Sequence, residues 1–258
     1  ANMLREGDGI PVNKKESLHY YKLAAEQGDE TAISIYDQIK IEFEEEEETP
    51  PDDPLTILET AALSGDIQAM HIFALMCFRG DGIPIDKKEA SEYFKLAADN
   101  GNKDSMFNYA LMLDEGQGIQ QNKEEAIKYY KMAADNGDVK SMYNLALMLK
   151  NGDGVSTDKK EALKYFKLAA DKGIVQAMFN LALMLKNGEG ENIDLKKALE
   201  YFRLAADKGH LKAACNCGIL LANGVDGVTD VDEAKKYLKM AANKGDLDAV
   251  SILHSLFE

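Results

Sequence analysis

Residues suited to chemistry are few in this chain, and widely spaced. Three cysteines stand at positions 77, 215 and 217, and four histidines at 19, 71, 210 and 254. Only His210, Cys215 and Cys217 approach a metal-ligand spacing. A Cys-x-Cys with one histidine is one ligand short of a tetrahedral zinc site, and on a helix such near neighbours diverge, so buried small residues are expected there. The loop NGDGVSTDKKE, 151–161, resembles a calcium loop until it is put in register. With Gly154 as the turn glycine, Leu149 comes first and Lys160 last, where carboxylates are required. Asp99, Asp135, Asp171 and Asp207 sit at a helix end in every unit, which marks a structural role. No nucleophile–base pair stands out, and every Gly-x-Gly reads as a helix end. No catalytic residue, cofactor site or metal site is assigned.

The bulk composition narrows the class further. The chain has 258 residues, 45% of them hydrophobic and 29% charged, with a formal net charge of −15. That balance is globular or repetitive, and the negative charge argues against a nucleic-acid binder because a polyanion would be repelled. No uninterrupted apolar window of about 18 residues exists, so no membrane span is expected. Three cysteines and no glycosylation sequon favour a reducing, cytoplasmic setting over a secretory one. The opening ANMLREGDG has no signal-peptide core and reads as the tail of a helix already under way, as in a fragment of a longer chain.

What must position any site is a repeat. KLAADNG (95–101) returns as KMAADNG (131–137), KLAADKG (167–173), RLAADKG (203–209) and KMAANKG (239–245), with KLAAEQG (22–28) and ETAALSG (59–65) as earlier copies. The closing glycines are Gly28, Gly65, Gly101, Gly137, Gly173, Gly209 and Gly245, spaced by 37 once and then by 36. Each unit divides into two helices. Ala177, Leu181, Met184 and Leu185 fall on one helical face, and Gly188 and Gly190 stop that helix. Asp194 caps the next, whose buried side is Ala198, Tyr201, Phe202, Ala205 and Ala206. The fold predicted is all-α: a superhelical solenoid of about seven helix-turn-helix repeats with partial units at both ends and no β-strand.

The pattern A-x-x-N-L-A-x-x-L-x-x-G-x-G followed by K-x-A-x-x-Y-[FY]-x-L-A-A-x-x-G resembles the Sel1-like repeat family, relatives of the tetratricopeptide repeats. It covers roughly the whole of 1–258, which is read as a single array. The family often has Gly where Ala110, Ala146 and Ala182 stand, and Tyr where Leu113, Leu149 and Leu185 stand. The resemblance implies a non-catalytic adaptor that holds partner proteins or peptides in a groove. The alternative it implies is a regulatory or substrate-recruiting arm of a larger enzyme such as a protein kinase.

By analogy with tetratricopeptide repeats, the groove stripe runs through Gln176, Phe179, Leu183, Lys186 and Asn187 and their equivalents at steps of 36. Phe107, Tyr143, Leu147, Phe179 and Leu183 give it an apolar, aromatic floor, while Lys140, Lys150, Lys186 and Lys212 cluster on one stretch. These residues are the candidate partner-binding set, with an acidic peptide as the suggested ligand. The competing reading is that the rings only pack between helices and the lysines are ordinary solvated residues. A ladder of Asn108, Asn144, Asn180 and Asn216 reads as structural hydrogen bonding rather than a carboxylate clamp. At the far end, Val250, Ile252, Leu253, Leu256 and Phe257 lack a covering helix, so end-to-end self-association is expected.

One stretch breaks the rule. FEEEEETPPDDP, 43–54, occupies the place of a Gly-x-Gly turn. Without those glycines the preceding helix runs on through glutamates, which are good helix formers, and Asp53-Pro54 starts the next one. It is read as a degenerate second unit with an acidic insertion. The run Glu44 to Glu48 is either a solvated face or a dock for a basic partner.

Overall fold

The computed structural model describes residues 14–27, 29–47, 53–225 and 227–257. Among these are fourteen helices and no strand, apart from one isolated bridge between Val225 and Val228. In chain order they are α1 (Lys14–Glu26), α2 (Glu30–Glu47), α3 (Pro54–Leu63), α4 (Ile67–Arg79), α5 (Lys87–Asp99), α6 (Lys103–Glu115), α7 (Lys123–Asp135), α8 (Val139–Asn151), α9 (Lys159–Asp171), α10 (Val175–Asn187), α11 (Leu195–Asp207), α12 (Leu211–Asn223), α13 (Val231–Ala242) and α14 (Leu247–Phe257). The chain divides into two compact units, 1–58 and 59–258.

In the first unit, α1 packs on α2, and Tyr21, Ala32 and Ile39 make a small core. α2 does run on without a glycine stop, reaching Glu47 over 18 residues. Glu48 and residues 49–52 of the acidic insertion lie outside the described residues. Asp53 then accepts backbone hydrogen bonds from Leu55 and Thr56 at 2.8 and 3.2 Å, and Pro54 is the first residue of α3.

The second unit is an α-solenoid of stacked helical hairpins. From α4 to α12 every helix is 13 residues long. The cause is local. First helices start at caps Asp66, Asn102, Asp138 and His210, and second helices at Asp86, Asn122, Asp158, Asp194 and Asp230. Ile174 occupies the same position before α10 and makes no side-chain cap. First helices α4, α6, α8 and α10 end on a left-handed glycine, at Gly80, Gly116, Gly152 and Gly188.

The core is a column of equivalent side chains. Phe94, Tyr130, Phe166, Phe202 and Leu238 are buried one per repeat, each worth about 1.5–3 kcal/mol of burial. Ala97, Ala98, Ala133, Ala169, Ala205 and Ala206 are sealed beside them and let the helices approach closely. Gly218 stands where Ala110, Ala146 and Ala182 stand elsewhere. A Cβ there would come within 2.5 Å of Leu238 Cγ, so Leu238 and the glycine are matched.

The second glycine of each turn has a different role. A Cβ on Gly118, Gly154 or Gly190 would overlap the first residue of a second helix, Lys87, Lys123 or Lys159 respectively. The turn backbone of one repeat therefore rests on the helix start of the repeat before it. In the last turn the pattern shifts by one residue. Val225 and Val228 exchange two backbone hydrogen bonds of 3.0 Å, with Gly227 at φ +80°.

Candidate functional site

The stripe residues lie on consecutive first helices of the second unit. Phe107 is on α6; Lys140, Tyr143, Leu147 and Lys150 are on α8; Phe179, Leu183 and Lys186 are on α10; Lys212 is on α12. Lys140 and Lys212 are exposed, and the other seven are half-buried. The ring position itself is covered at both ends of this run. His71 and Cys215, which occupy the ring position on α4 and α12, are buried.

Each ring packs inward against the core column of its own repeat. Centroid separations are 6.1 Å for Phe107 and Tyr130, 5.9 Å for Tyr143 and Phe166, and 5.9 Å for Phe179 and Phe202. The rings are thus part of the packing, and half-burial leaves the rest of each at the surface. Burial pushes the Tyr143 phenol above its ordinary value, with Asn180 pulling the other way.

Two hollows open between these helices. One, of about 520 Å³, is lined by Tyr143, Gln176, Phe179, Asn180, His210 and Lys212 among others. The second, of about 460 Å³, is lined by Phe179, Lys212 and Ile219 with Asp246, which caps α14, and with Asp248 and Ile252 within it. Phe179 and Lys212 border both. A third, smaller hollow includes Leu75, Phe78, Asn108 and Leu111 further back along the same face. Leu147 and Leu183 line none of these three.

The polar groups of this face are arranged differently from those of the opposite seam. Lys140 sits 5.5 Å from the Phe107 ring centroid, and Lys186 donates to Asn216 Oδ1 at 3.1 Å. Among the described residues none of Lys140, Lys150, Lys186 and Lys212 makes an ion pair. Asn180 and Asn216 donate to the carbonyls of Gln176 and Lys212 at 2.9 and 2.8 Å, so these two are structural as expected. His210 stacks on Phe179 at 4.4 Å and accepts the Ala213 N–H on Nδ1 at 3.1 Å. Burial is the chief reason its pKa is lowered. His71 has a different partner, Ser105 Oγ at 2.7 Å. One repeat later Phe107 replaces that histidine, and the Ser141 hydroxyl is left without a hydrogen bond.

The cysteines are chemically quiet. All three are free and buried, and burial pushes Cys77 up to about 11 and Cys215 and Cys217 up to about 12, far from thiolate reactivity at neutral pH. Among the described residues no three His, Cys, Asp or Glu side chains converge on a metal-sized site. No described helix is long and apolar enough to cross a membrane.

Sequence reasoning named Ile252 only as an uncovered apolar residue and did not place Asp246, Asp248 and Ser251, before and along α14, beside the groove. A signal was available: Asp246 continues the cap series Asp66, Asn102, Asp138 and His210, which places it beside the next groove position.

The fold has solved counterparts. A protective antigen of uropathogenic Escherichia coli strains with an SLR fold superposes with a TM-score of 0.75 at 24% identity; the match covers all of this chain and 56% of that one. A Sel1 repeat protein from Oxalobacter formigenes gives 0.69 at 27% identity, covering 76% of this chain and 81% of that one. No curated protein sequence matches the chain. The Sel1 repeat profile matches residues 1–29, 67–102, 103–138, 139–174, 175–210 and 211–246, leaving out the stretch in which the acidic insertion lies. With six matches over most of its length, the chain belongs to the Sel1 repeat family.

Proposed function

We propose that this protein is a non-catalytic scaffold that binds a partner protein or peptide on the first-helix face of its second unit. Sel1 repeat proteins are generally protein-interaction scaffolds, and the reading here is finer: it names the face. The observation that carries it is the run Tyr143, Phe179 and Lys212, where half-open rings and a lysine outside any described ion pair border two adjoining hollows. Aromatic anchors beside desolvated pockets are where binding energy concentrates in interfaces. Lys140, Lys150 and Lys186 flank that run, and Phe107, Leu147 and Leu183 extend its apolar floor. A reducing, cytoplasmic setting goes with this reading, supported by three buried free thiols.

Alanine at Tyr143 or Phe179 would disturb the core column as well as the surface, so the test uses charge. Lys140→Glu, Lys186→Glu and Lys212→Glu are combined in one variant and compared with wild type in affinity purification from the native host. The expected result is loss of specific partners with an unchanged melting temperature. Retention of the same partners would overturn the assignment of this face.

A further inference from the structure

The two hollows that share Phe179 and Lys212 differ in chemistry. The first is lined by the Lys212 ammonium together with Gln176, Asn180 and His210, and by no carboxylate, so its one formal charge is positive. Because His210 Nδ1 accepts from Ala213, the neutral ring carries its proton on Nε2. The second hollow pairs an apolar floor of Phe179, Ile219 and Ile252 with the carboxylates of Asp246 and Asp248. Asp246 is committed to capping α14, accepting from Ala249 N at 3.0 Å, whereas Asp248 is exposed in the first turn. Neither makes an ion pair with Lys212. The first hollow therefore suits an acidic side chain. The second suits a lysine or arginine, whose aliphatic stem lies on the floor while its head meets the aspartates.

Resting on the interaction face proposed above, we infer that its partner is a mixed-charge peptide segment, with an acidic residue in the Gln176–His210–Lys212 hollow and a basic residue in the Asp246–Asp248 hollow. The spacing follows from geometry. α12 and α14 pack directly, and directly packed helices have axes roughly 8–10 Å apart. An extended chain rises about 3.3 Å per residue, so the two charged side chains stand about three residues apart. This specifies more than an acidic ligand: Lys212 borders both hollows and favours an acidic residue in the first, while in the second the carboxylates of Asp246 and Asp248 outnumber it and favour a basic one.

The test pans a random peptide display library on the full chain, on Lys212→Glu and on Asp248→Lys. Both substitutions lie in exposed first-turn positions, and melting curves confirm folding. Wild type is expected to enrich peptides with an acidic and a basic residue at that separation. Asp248→Lys should lose the basic preference alone, and Lys212→Glu the acidic preference alone. Synthetic wild-type-selected peptides should bind the matching variant about tenfold more weakly, the scale expected when exposed attractions become repulsions. No enrichment, enrichment without the charge pair, or a pair that survives both reversals would overturn the inference. The lysine-reversal purification separates the two readings: if it still strips native partners while panning shows no charge pair, the face stands and the charge register falls.

Discussion

The two sides of each repeat treat their polar groups in opposite ways. On the seam formed by second helices and turns, successive repeats are tied by contacts spaced 30 residues apart. Tyr129, Tyr165 and Tyr237 donate to Asp99, Asp135 and Asp207 at 2.7, 3.4 and 3.2 Å. Lys131 pairs with Glu161 at 3.0 Å and Lys159 with Glu189 at 3.1 Å, while Lys123 pairs with Asp153 and Arg203 with Glu233. On the first-helix face, Lys140, Lys150, Lys186 and Lys212 make no ion pair among the described residues, and Lys186 instead donates to Asn216 across the same 30-residue spacing. The seam uses its polar groups to hold the array, and the other face leaves them available. Charge density alone would not reveal this difference, since both sides carry many lysines.

The largest way to break the seam is steric. Gly154→Ala, which forces a Cβ into Lys123 at φ +77°, is expected to cost about 3 kcal/mol. Gly137→Ala, at φ +84° with open space around it, should cost only about 1 kcal/mol. Urea melts of the two variants measure the difference, and equal losses would remove the seam contact as a cause.

Adjacent tyrosines give the next contrast. Tyr129→Phe loses the bond to Asp99 and should cost about 1 kcal/mol. Tyr130→Phe removes a buried hydroxyl that makes no hydrogen bond of good geometry, with Asn144 as its one polar neighbour, at a position where other repeats have Phe, and should be neutral or stabilising. A smaller effect concerns His210, whose pKa is lowered by burial. Its stabilising contribution is complete above the unfolded-state pKa near 6.5 and is lost as pH falls through the folded value. His210→Asn keeps a capping side chain and should flatten that part of the pH–stability profile, measured by melts between about pH 7.5 and 5. The smallest effect expected is on the open face, where Lys212→Glu should shift stability by less than about 0.5 kcal/mol.

Much of this was legible in the sequence because a strict period repeats the same local decisions. The glycine stops, Asp194 as a cap, the inward face of Ala177, Leu181, Met184 and Leu185, and the overrun of α2 all follow from short-range stereochemistry. The tyrosine–aspartate contacts were not found, although both ladders were visible. Linking them requires knowing that second helices of successive repeats present these positions to each other, which is a tertiary fact. Tyr201 shows the limit of extrapolation: Asp171 helps raise its pKa, second to burial, yet no hydrogen bond forms between them. At the candidate face, periodicity gave the floor and the lysines. The hollows depend on how side chains half-fill the space between neighbouring helices, so the period could set Asp246 and Asp248 at the next groove position without showing that they line a hollow.

Since the side-chain ties of the seam span 30 residues and the units from Gly65 onward recur after 36, whole blocks are interchangeable. Excising Asn102–Gly137 would join Gly101 to Asp138 and bring Asp99 to Tyr165, Lys87 to Asp153 and Lys95 to Glu161, each a complementary pair. His71 would then meet Ser141, the serine whose hydroxyl is now unmatched. Length in this molecule is therefore an editable quantity: a whole block can be removed or copied without composing a new interface.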